Sequence, residues 1–166
     1  MIRPKYLDEF INLCEQILSH KKRVIVGLSG LCGSGKSTLG KKIINTGFNN
    51  NIKAHNIAII DDGVLRLNLH IWRPKIKLKW WYIQTTDISN FIAKFPYFIK
   101  VVIVISNDLK KLGHADIFAI YKIEEEQRLK NLIKREHGET ERIEIFLNAK
   151  IEENLTFDHK IVITPK

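Results

Sequence analysis

The sequence predicts an α/β fold in three layers, a mainly parallel five-stranded sheet with helices on both faces. Two observations lead to this prediction. Short apolar runs rich in Val and Ile show no polar alternation, as expected of strands buried on both faces. Segments with helical periodicity separate these runs, an order typical of parallel sheets. The strand-like runs are residues 24–28, 57–60, 101–105, 117–121 and 160–163. Such sheets bind ligands beyond the carboxyl ends of their strands.

The first helix is predicted over residues 6–19, where Leu7, Phe10, Ile11 and Cys14 form an apolar stripe. Further helices are predicted over residues 36–45, 87–94, 124–136 and 141–154, with a short one over 64–69. The inner face of the helix over 124–136 is expected to carry Leu129, Leu132 and Ile133. The chain shows no internal repeat or linker, so residues 1–166 are expected to form one domain with an N-terminal helix at about 4–20.

Composition excludes several classes of protein. The chain has 166 residues, of which 45% are hydrophobic and 27% charged, as in ordinary globular proteins. No apolar run is long enough to cross a membrane, and the N-terminus lacks the pattern of a signal peptide. Two cysteines make neither a disulfide framework nor a metal site. The sequence therefore predicts a cytoplasmic protein without a membrane partner.

The formal net charge of +9 suits nucleic acid, an anionic membrane or polyphosphate ligands equally well. The cations are spread along the chain instead of forming one basic arm. Charge alone therefore leaves a nucleic-acid partner as one of several alternatives, and the sequence predicts no oligomeric state.

Residues 30–37, GLCGSGKS, match the phosphate-loop motif G-x-x-x-x-G-K-[ST] at every defined position. The motif lies between a predicted strand and a predicted helix, as its mechanism requires. Glycines let backbone amides meet phosphate oxygens, Lys36 is expected to reach the β- and γ-phosphates, and Ser37 to bind Mg²⁺. The motif predicts ATP and Mg²⁺ as ligands and a fold of the P-loop nucleoside triphosphate hydrolase type. The expected phosphate-binding residues are Gly30, Cys32, Gly33, Ser34, Gly35, Lys36, Ser37 and Thr38.

Two carboxylates, Asp61 and Asp62, follow the second predicted strand. A kinase needs a base for the acceptor hydroxyl and oxygen ligands around its metal. We expect Asp61 to be the base and Asp62 to assist with Mg²⁺; the alternative is that Asp-Asp-Gly is only a surface turn. The sequence lacks a Walker B aspartate directly after residues 101–105 and an Asn-Lys-x-Asp motif, which favours a small-molecule kinase.

With these residues, the chain resembles uridine kinases and dephospho-coenzyme A kinases. The segment GLSGLCGSGKST at residues 27–38 is similar to their phosphate loop, and Asp61-Asp62 to the acidic pair of uridine kinases. Residues 109–136 resemble the fourth strand and following helix of uridine kinases, which carry cationic lid residues. The resemblance implies that Arg135 and Arg128 contact the transferring phosphate, with a lid near residues 134–141.

Acceptor-binding residues are expected between the acidic pair and the third strand. Arg66, Arg73 and Tyr82 lie there among tryptophans and cations, which could stack a ring and hold an anion; the alternative is ordinary packing. The sequence thus predicts an enzyme that moves the γ-phosphoryl group of ATP to a hydroxyl of a small, nucleoside-like acceptor. The alternatives are a nucleotide-binding switch with little transferase activity, or a kinase acting on dephospho-coenzyme A or a nucleic-acid 5′ end.

Overall fold

The computed structural model describes residues 5–79, 88–137 and 139–165. In this part of the chain seven strands form one sheet in the order β4-β3-β2-β5-β1-β6-β7. The strands are β1 Val24–Ser29, β2 Ile57–Asp61, β3 Val64–Leu67, β4 Lys75–Lys77, β5 Val101–Ile105, β6 His114–Tyr121 and β7 Thr156–Ile163. The central strands β1, β2 and β5 are almost wholly buried, which explains their continuous apolar sequences.

The sheet is mainly parallel, as predicted, but the predicted number of five strands is wrong. β1, β2, β5, β6 and β7 pair in parallel, whereas β3 and β4 add two antiparallel strands at one edge. The short helix predicted over residues 64–69 is therefore also wrong, because Val64–Leu67 is β3. Asp62 and Gly63 have φ of 47° and 73°. A two-residue turn with positive φ at both positions joins antiparallel strands, and this one turns the chain back from β2 into β3.

Five α-helices are present in the described residues: α1 Asp8–Leu18, α2 Lys36–Thr46, α3 Ile88–Ala93, α4 Glu125–Arg135 and α5 Thr140–Leu147. The helix predicted to continue to residue 154 ends at Leu147, and the last strand begins at Thr156 instead of residue 160. Asp87, where the helix predicted over residues 87–94 begins, and Gly138, which belongs to the expected lid, lie outside the described residues.

The expected inner face of α4 is only partly correct. Leu132 is buried, but Leu129 and Ile133 are exposed, and Arg128 is buried in their place. An arginine is seldom buried without partners, because its charge must keep hydrogen bonds when it leaves water. Its partners are described with the site below.

Helices cover both faces of the sheet and produce two hydrophobic cores. Side chains alternate along each strand, so neighbouring residues of β5 enter different cores. Ile103 packs with α1 and α2 in a first core, whereas Val102 and Val104 pack with Ile92 of α3 in a second. The fold is therefore α/β with three layers. No helix in the described part of the chain has both the length and the apolar character needed to cross a membrane.

The carboxyl ends of β1, β2 and β5 lie side by side because these strands are parallel neighbours. Asp61 at the end of β2 is in register with Ile105 at the end of β5. The loop after β1 leads directly into α2, so this edge of the sheet gathers the glycine-rich segment and the acidic pair.

Candidate functional site

The glycine-rich loop, residues 30–35, connects β1 to α2 and depends on its glycines for close packing. Gly30 and Gly33 have backbone φ angles of 153° and 83°, values that residues other than glycine rarely adopt. A Cβ atom on Gly30 would lie 2.4 Å from the carbonyl oxygen of Tyr121, and one on Gly33 would lie 2.7 Å from Cγ of Leu132. The loop therefore follows a tight path against the end of β6 and against α4, which only glycine permits.

Lys36, the first residue of α2, lies across the inside of this loop. Its Nζ donates hydrogen bonds to the carbonyl oxygens of Gly30, at 2.5 Å, and Leu31, at 3.1 Å. Burial lowers the pKa of the Lys36 ammonium, the charges of Asp62 and Asp61 act in the opposite direction, and the charge of Arg135 lowers it further. The structure thus places a partly desolvated cation beside the loop, where an anion would gain strongly from its charge.

Ser37 and Asp61 connect the start of α2 to the end of β2. The Ser37 hydroxyl donates to Oδ1 of Asp61 at 3.1 Å, and Asp61 is only 6% exposed. Burial raises the pKa of the Asp61 carboxyl, the hydrogen bond from Ser37 lowers it, and the charge of Asp62 raises it. A hydroxyl and a carboxylate at this separation, with a second carboxylate next in sequence, are oxygen donors of the kind that Mg²⁺ prefers.

A cavity of about 890 Å³ opens in front of the loop and brings most of the predicted site together. Its volume lies within the usual range of small-molecule sites. The predicted residues that line it are Cys32, Gly33, Gly35, Lys36, Ser37, Thr38, Asp61, Asp62 and Arg135. Gly30 and Ser34 belong to the same loop but do not line the cavity, and Ser34 is buried.

Several lining residues were missed by sequence reasoning. Ser106, Asn107 and Asp108 follow β5, and the side-chain amide of Asn107 donates to Sγ of Cys32 at 3.1 Å. Asn131 of α4 donates to the carbonyl oxygen of Gly33 at 2.9 Å. The position of Ser106–Asp108 after a buried strand was a usable signal, since β5 must end at the same edge as its parallel neighbours.

Arg128 supports the loop from outside the cavity, in contrast to its expected contact with a phosphate. It is 3% exposed, and its Nε donates to the carbonyl oxygen of Cys32 at 3.0 Å. Nη2 donates to the carbonyl oxygen of Phe146 in α5 at 2.7 Å, and Nη1 pairs with Glu125. Arg128 therefore ties the glycine-rich loop to α4 and α5, and it does not line the cavity.

Arg135, at the end of α4, does line the cavity. Its Nε donates to a carboxylate oxygen of Glu136, and its guanidinium group lies 4.7 Å from the centre of the Phe146 ring. The side chain is about half exposed. Arg135 thus lines the cavity while it contacts Glu136 and the Phe146 ring.

The expected acceptor residues lie outside the cavity or outside the described residues. Arg66 is in β3, where its charge lowers the pKa of Asp61, but it does not line the cavity. Arg73 donates to Oδ1 of Asn45 at 3.1 Å and also lies away from the cavity. Tyr82 lies outside the described residues.

The chain matches no protein-family model and no curated protein. Its functional assignment therefore depends on the residues of the site. The central ones are Lys36, and Ser37 with its hydrogen bond to Asp61, all of which line the cavity.

Proposed function

We propose that the chain is an ATP- and Mg²⁺-dependent phosphotransferase of the P-loop type, acting on a hydroxyl of a small, nucleoside-like acceptor. The observation that carries the proposal is the convergence of Lys36, Ser37 and Asp61 on one cavity, with the Ser37 hydroxyl 3.1 Å from Asp61. Each group has a distinct place in phosphoryl transfer, and all three occupy the strand end where such sheets bind ligands.

The glycine-rich loop and α2 supply the phosphate-binding groups. Backbone N–H groups at the start of α2 have no partner within the helix and attract anions. Lys36 exchanges its bonds to the Gly30 and Leu31 carbonyls for bonds to the β- and γ-phosphates of ATP. Ser37, with Asp62, would hold Mg²⁺, which neutralises charge on the phosphate oxygens when bound.

Asp61 is the proposed general base. The acceptor oxygen forms a bond to the γ-phosphorus as the bond from that phosphorus to the bridging oxygen of ADP breaks, and the acceptor proton passes to Asp61. A raised pKa makes Asp61 a stronger proton acceptor than an ordinary carboxylate, provided that it is ionised at the start. Arg135 reaches the γ-oxygens from the lid side and stabilises their charge in the transition state.

Calorimetry of ATP·Mg²⁺ binding, with ADP release measured over a panel of nucleosides, nucleotides, dephospho-coenzyme A and sugars, tests the proposal. We expect Lys36→Ala to abolish tight ATP binding with the fold intact, and Lys122→Ala, an exposed control, to change neither readout. Full ATP binding by Lys36→Ala would contradict the phosphate-binding role. Tight binding without turnover of any acceptor would instead indicate a nucleotide-binding module.

The roles of the two carboxylates are separable in the same assays. Asp61→Asn should leave ATP affinity within a few-fold but lower turnover by roughly 10² or more, the usual scale for a general base. Asp62→Asn should lower turnover less and raise the Mg²⁺ concentration needed for half-maximal rate. The reverse order would assign the base to Asp62 and the metal contact to Asp61.

A further inference from the structure

The β3–β4 hairpin comprises β3, β4 and the turn between them. The charged side chains in and after it are all positive, and the proposed reaction does not use them. Between residues 63 and 86 the chain has five cations, at Arg66, Arg73, Lys75, Lys77 and Lys79, and no acidic residue. The last four of these are exposed. Within the described residues none of the five forms a salt bridge, although such pairs are frequent elsewhere in the chain. The four exposed cations thus present positive charge to solvent without a salt-bridge partner among the described residues.

The register of β3 and β4 determines which of these cations lie on the same face of the sheet. Arg66 pairs with Lys75 across the hairpin, and Val64 pairs with Lys77. Residues paired across neighbouring strands project to the same face of a sheet. Arg66, Lys75 and Lys77 therefore share one face, on which a linear polyanion can meet successive cations.

The same face continues to the candidate site. Val64 pairs both with Lys77 of β4 and with Asp61 of β2, so these residues form one row across three strands. With neighbouring strands about 4.8 Å apart, the Cα atoms of Lys77 and Asp61 are separated by about 10 Å. A ligand held on the hairpin thus lies next to the opening of the cavity.

The tip of the hairpin adds exposed apolar groups. His70 has φ of 64°, and a bridge between Leu69 and Trp72 closes the turn around His70 and Ile71. Ile71 is fully exposed and Trp72 is 66% exposed, an unusual position for large apolar side chains. An indole ring accessible to solvent next to Arg73 is suited to stacking on a nucleic-acid base.

We propose that the β3–β4 hairpin is a binding surface for single-stranded nucleic acid. Lys75, Lys77 and Arg73 contact successive phosphates, and Trp72 stacks on an unpaired base. Single strands fit better than duplex because the bases of a duplex are already stacked. A membrane surface fits less well, since the cations extend in a row away from the apolar tip toward Asp61 instead of surrounding the tip at one level. The binding is independent of phosphoryl transfer.

Fluorescence anisotropy of a labelled 12-nucleotide single strand, without ATP and over a range of KCl concentrations, tests the proposal. The hairpin variant Arg73→Gln, Lys75→Gln, Lys77→Gln is compared with the control Lys22→Gln, Lys122→Gln, Lys150→Gln, which loses the same charge at exposed positions elsewhere. We expect the hairpin variant to bind about tenfold or more weakly. The slope of log affinity against log salt concentration should be smaller in magnitude by about two. The variant loses three phosphate contacts, and each contact to a single strand contributes roughly 0.7 to the slope. The control should stay within about twofold of the wild type.

Trp72→Ala separates stacking from charge. It should weaken single-strand binding at least about fivefold while leaving the salt slope unchanged, since stacking releases no counterions. Equal weakening by the hairpin and control variants would show general attraction to a basic protein and would overturn the proposal. Binding to vesicles that contain phosphatidylserine, without binding to the oligonucleotide, would overturn it in favour of a membrane surface. None of these outcomes depends on turnover, so the proposed phosphotransferase activity can fail while the hairpin proposal stands, and the reverse.

Discussion

Asp61 ends β2 in an environment with opposing influences on its charge. Burial and the neighbouring charge of Asp62 favour the protonated carboxyl, whereas the hydrogen bond from Ser37 and the charge of Arg66 favour the carboxylate. Since burial is the largest influence, the folded-state pKa lies above the ordinary value of 3.8. The ionised carboxylate therefore lowers the stability of the fold at neutral pH, and this penalty disappears as the pH falls through the folded-state pKa. Shifted pKa values of this kind are frequent at functional sites.

The titration of Asp61 in the ligand-free protein should respond oppositely to changes at its two neighbours. Asp62→Asn should lower the pKa of Asp61, because it removes a negative charge. Ser37→Ala should raise it, because it removes a hydrogen bond to the carboxylate. Carbon-13 NMR of the Asp61 carboxyl carbon measures both shifts without reference to activity. Shifts in the same direction would contradict the hydrogen bond or the proximity of Asp62.

At the scale of elements, α4 supports the glycine-rich loop. Arg128 and Asn131 bind the carbonyl oxygens of Cys32 and Gly33, and the Leu132 side chain fills the space that a Cβ on Gly33 would need. These three residues lie on one face of the helix, at spacings of three and four positions. The helix α4 therefore fixes the middle of the loop through the carbonyls of Cys32 and Gly33.

Arg128→Ala should therefore destabilise the fold far more than Arg135→Ala. The change removes charge-assisted hydrogen bonds to the Cys32 and Phe146 carbonyls, and the expected loss in the free energy of unfolding is about 2–4 kcal/mol. Arg135 is half exposed, and its pairing with Glu136 is worth less than about 1 kcal/mol. Urea denaturation of the two variants measures the difference. Similar losses would show that Arg128 does not support the loop as the contacts indicate.

The same two variants should also differ in which step of the proposed reaction they impair. Arg135→Ala should lower turnover much more than ATP affinity, as expected of a contact made mainly in the transition state. Arg128→Ala should weaken ATP binding itself, because the loop loses its support. This contrast distinguishes a residue that faces the cavity from one that acts through the loop.

At the scale of the whole molecule, the sheet couples two separate cores. Ile103 of β5 belongs to the core on the side of α1 and α2, and Ile99, just before β5, belongs to the core on the other side. Both side chains are almost fully buried. Since β5 lies between β2 and β1, disruption of either core reaches the strands that position Asp61 and the glycine-rich loop.

Ile103→Ala and Ile99→Ala should each lower the stability by about 2–5 kcal/mol within one cooperative transition. For a domain of this size, such losses correspond to a decrease in Tm of roughly 2–4 °C per kcal/mol. Scanning calorimetry measures both the shift and the number of transitions. Two resolved transitions in either variant would show that the cores unfold independently and that the sheet does not couple them.

The local features of the sequence determined much of the site. The motif at residues 30–37 predicted a turn between a strand and a helix, and the structure places the glycine-rich loop there between β1 and α2. Apolar runs predicted the five parallel strands; for β1, β2 and β5 the reason is that a strand covered on both faces requires apolar residues at successive positions. The chain reversal into the missed strands had a local signal, since Asp62-Gly63, a favoured pair for a tight turn, joins β2 to β3. β3 and β4 escaped prediction because β3 is only partly buried, β4 is exposed, and neither has a continuous apolar run.

The tertiary structure alone decided the contacts between distant parts of the chain. Arg128 reaches the Cys32 carbonyl across 96 positions, Asn131 reaches Gly33 across 98, and Asn107 reaches Cys32 across 75. These contacts follow from the strand order, which places β5 and β6 on either side of β1. Hydrophobic periodicity depends on near neighbours and identifies an element and its buried face. Periodicity does not determine the order in which the strands pair. Whether an arginine faces a cavity or supports a loop is therefore decided only when the sheet assembles.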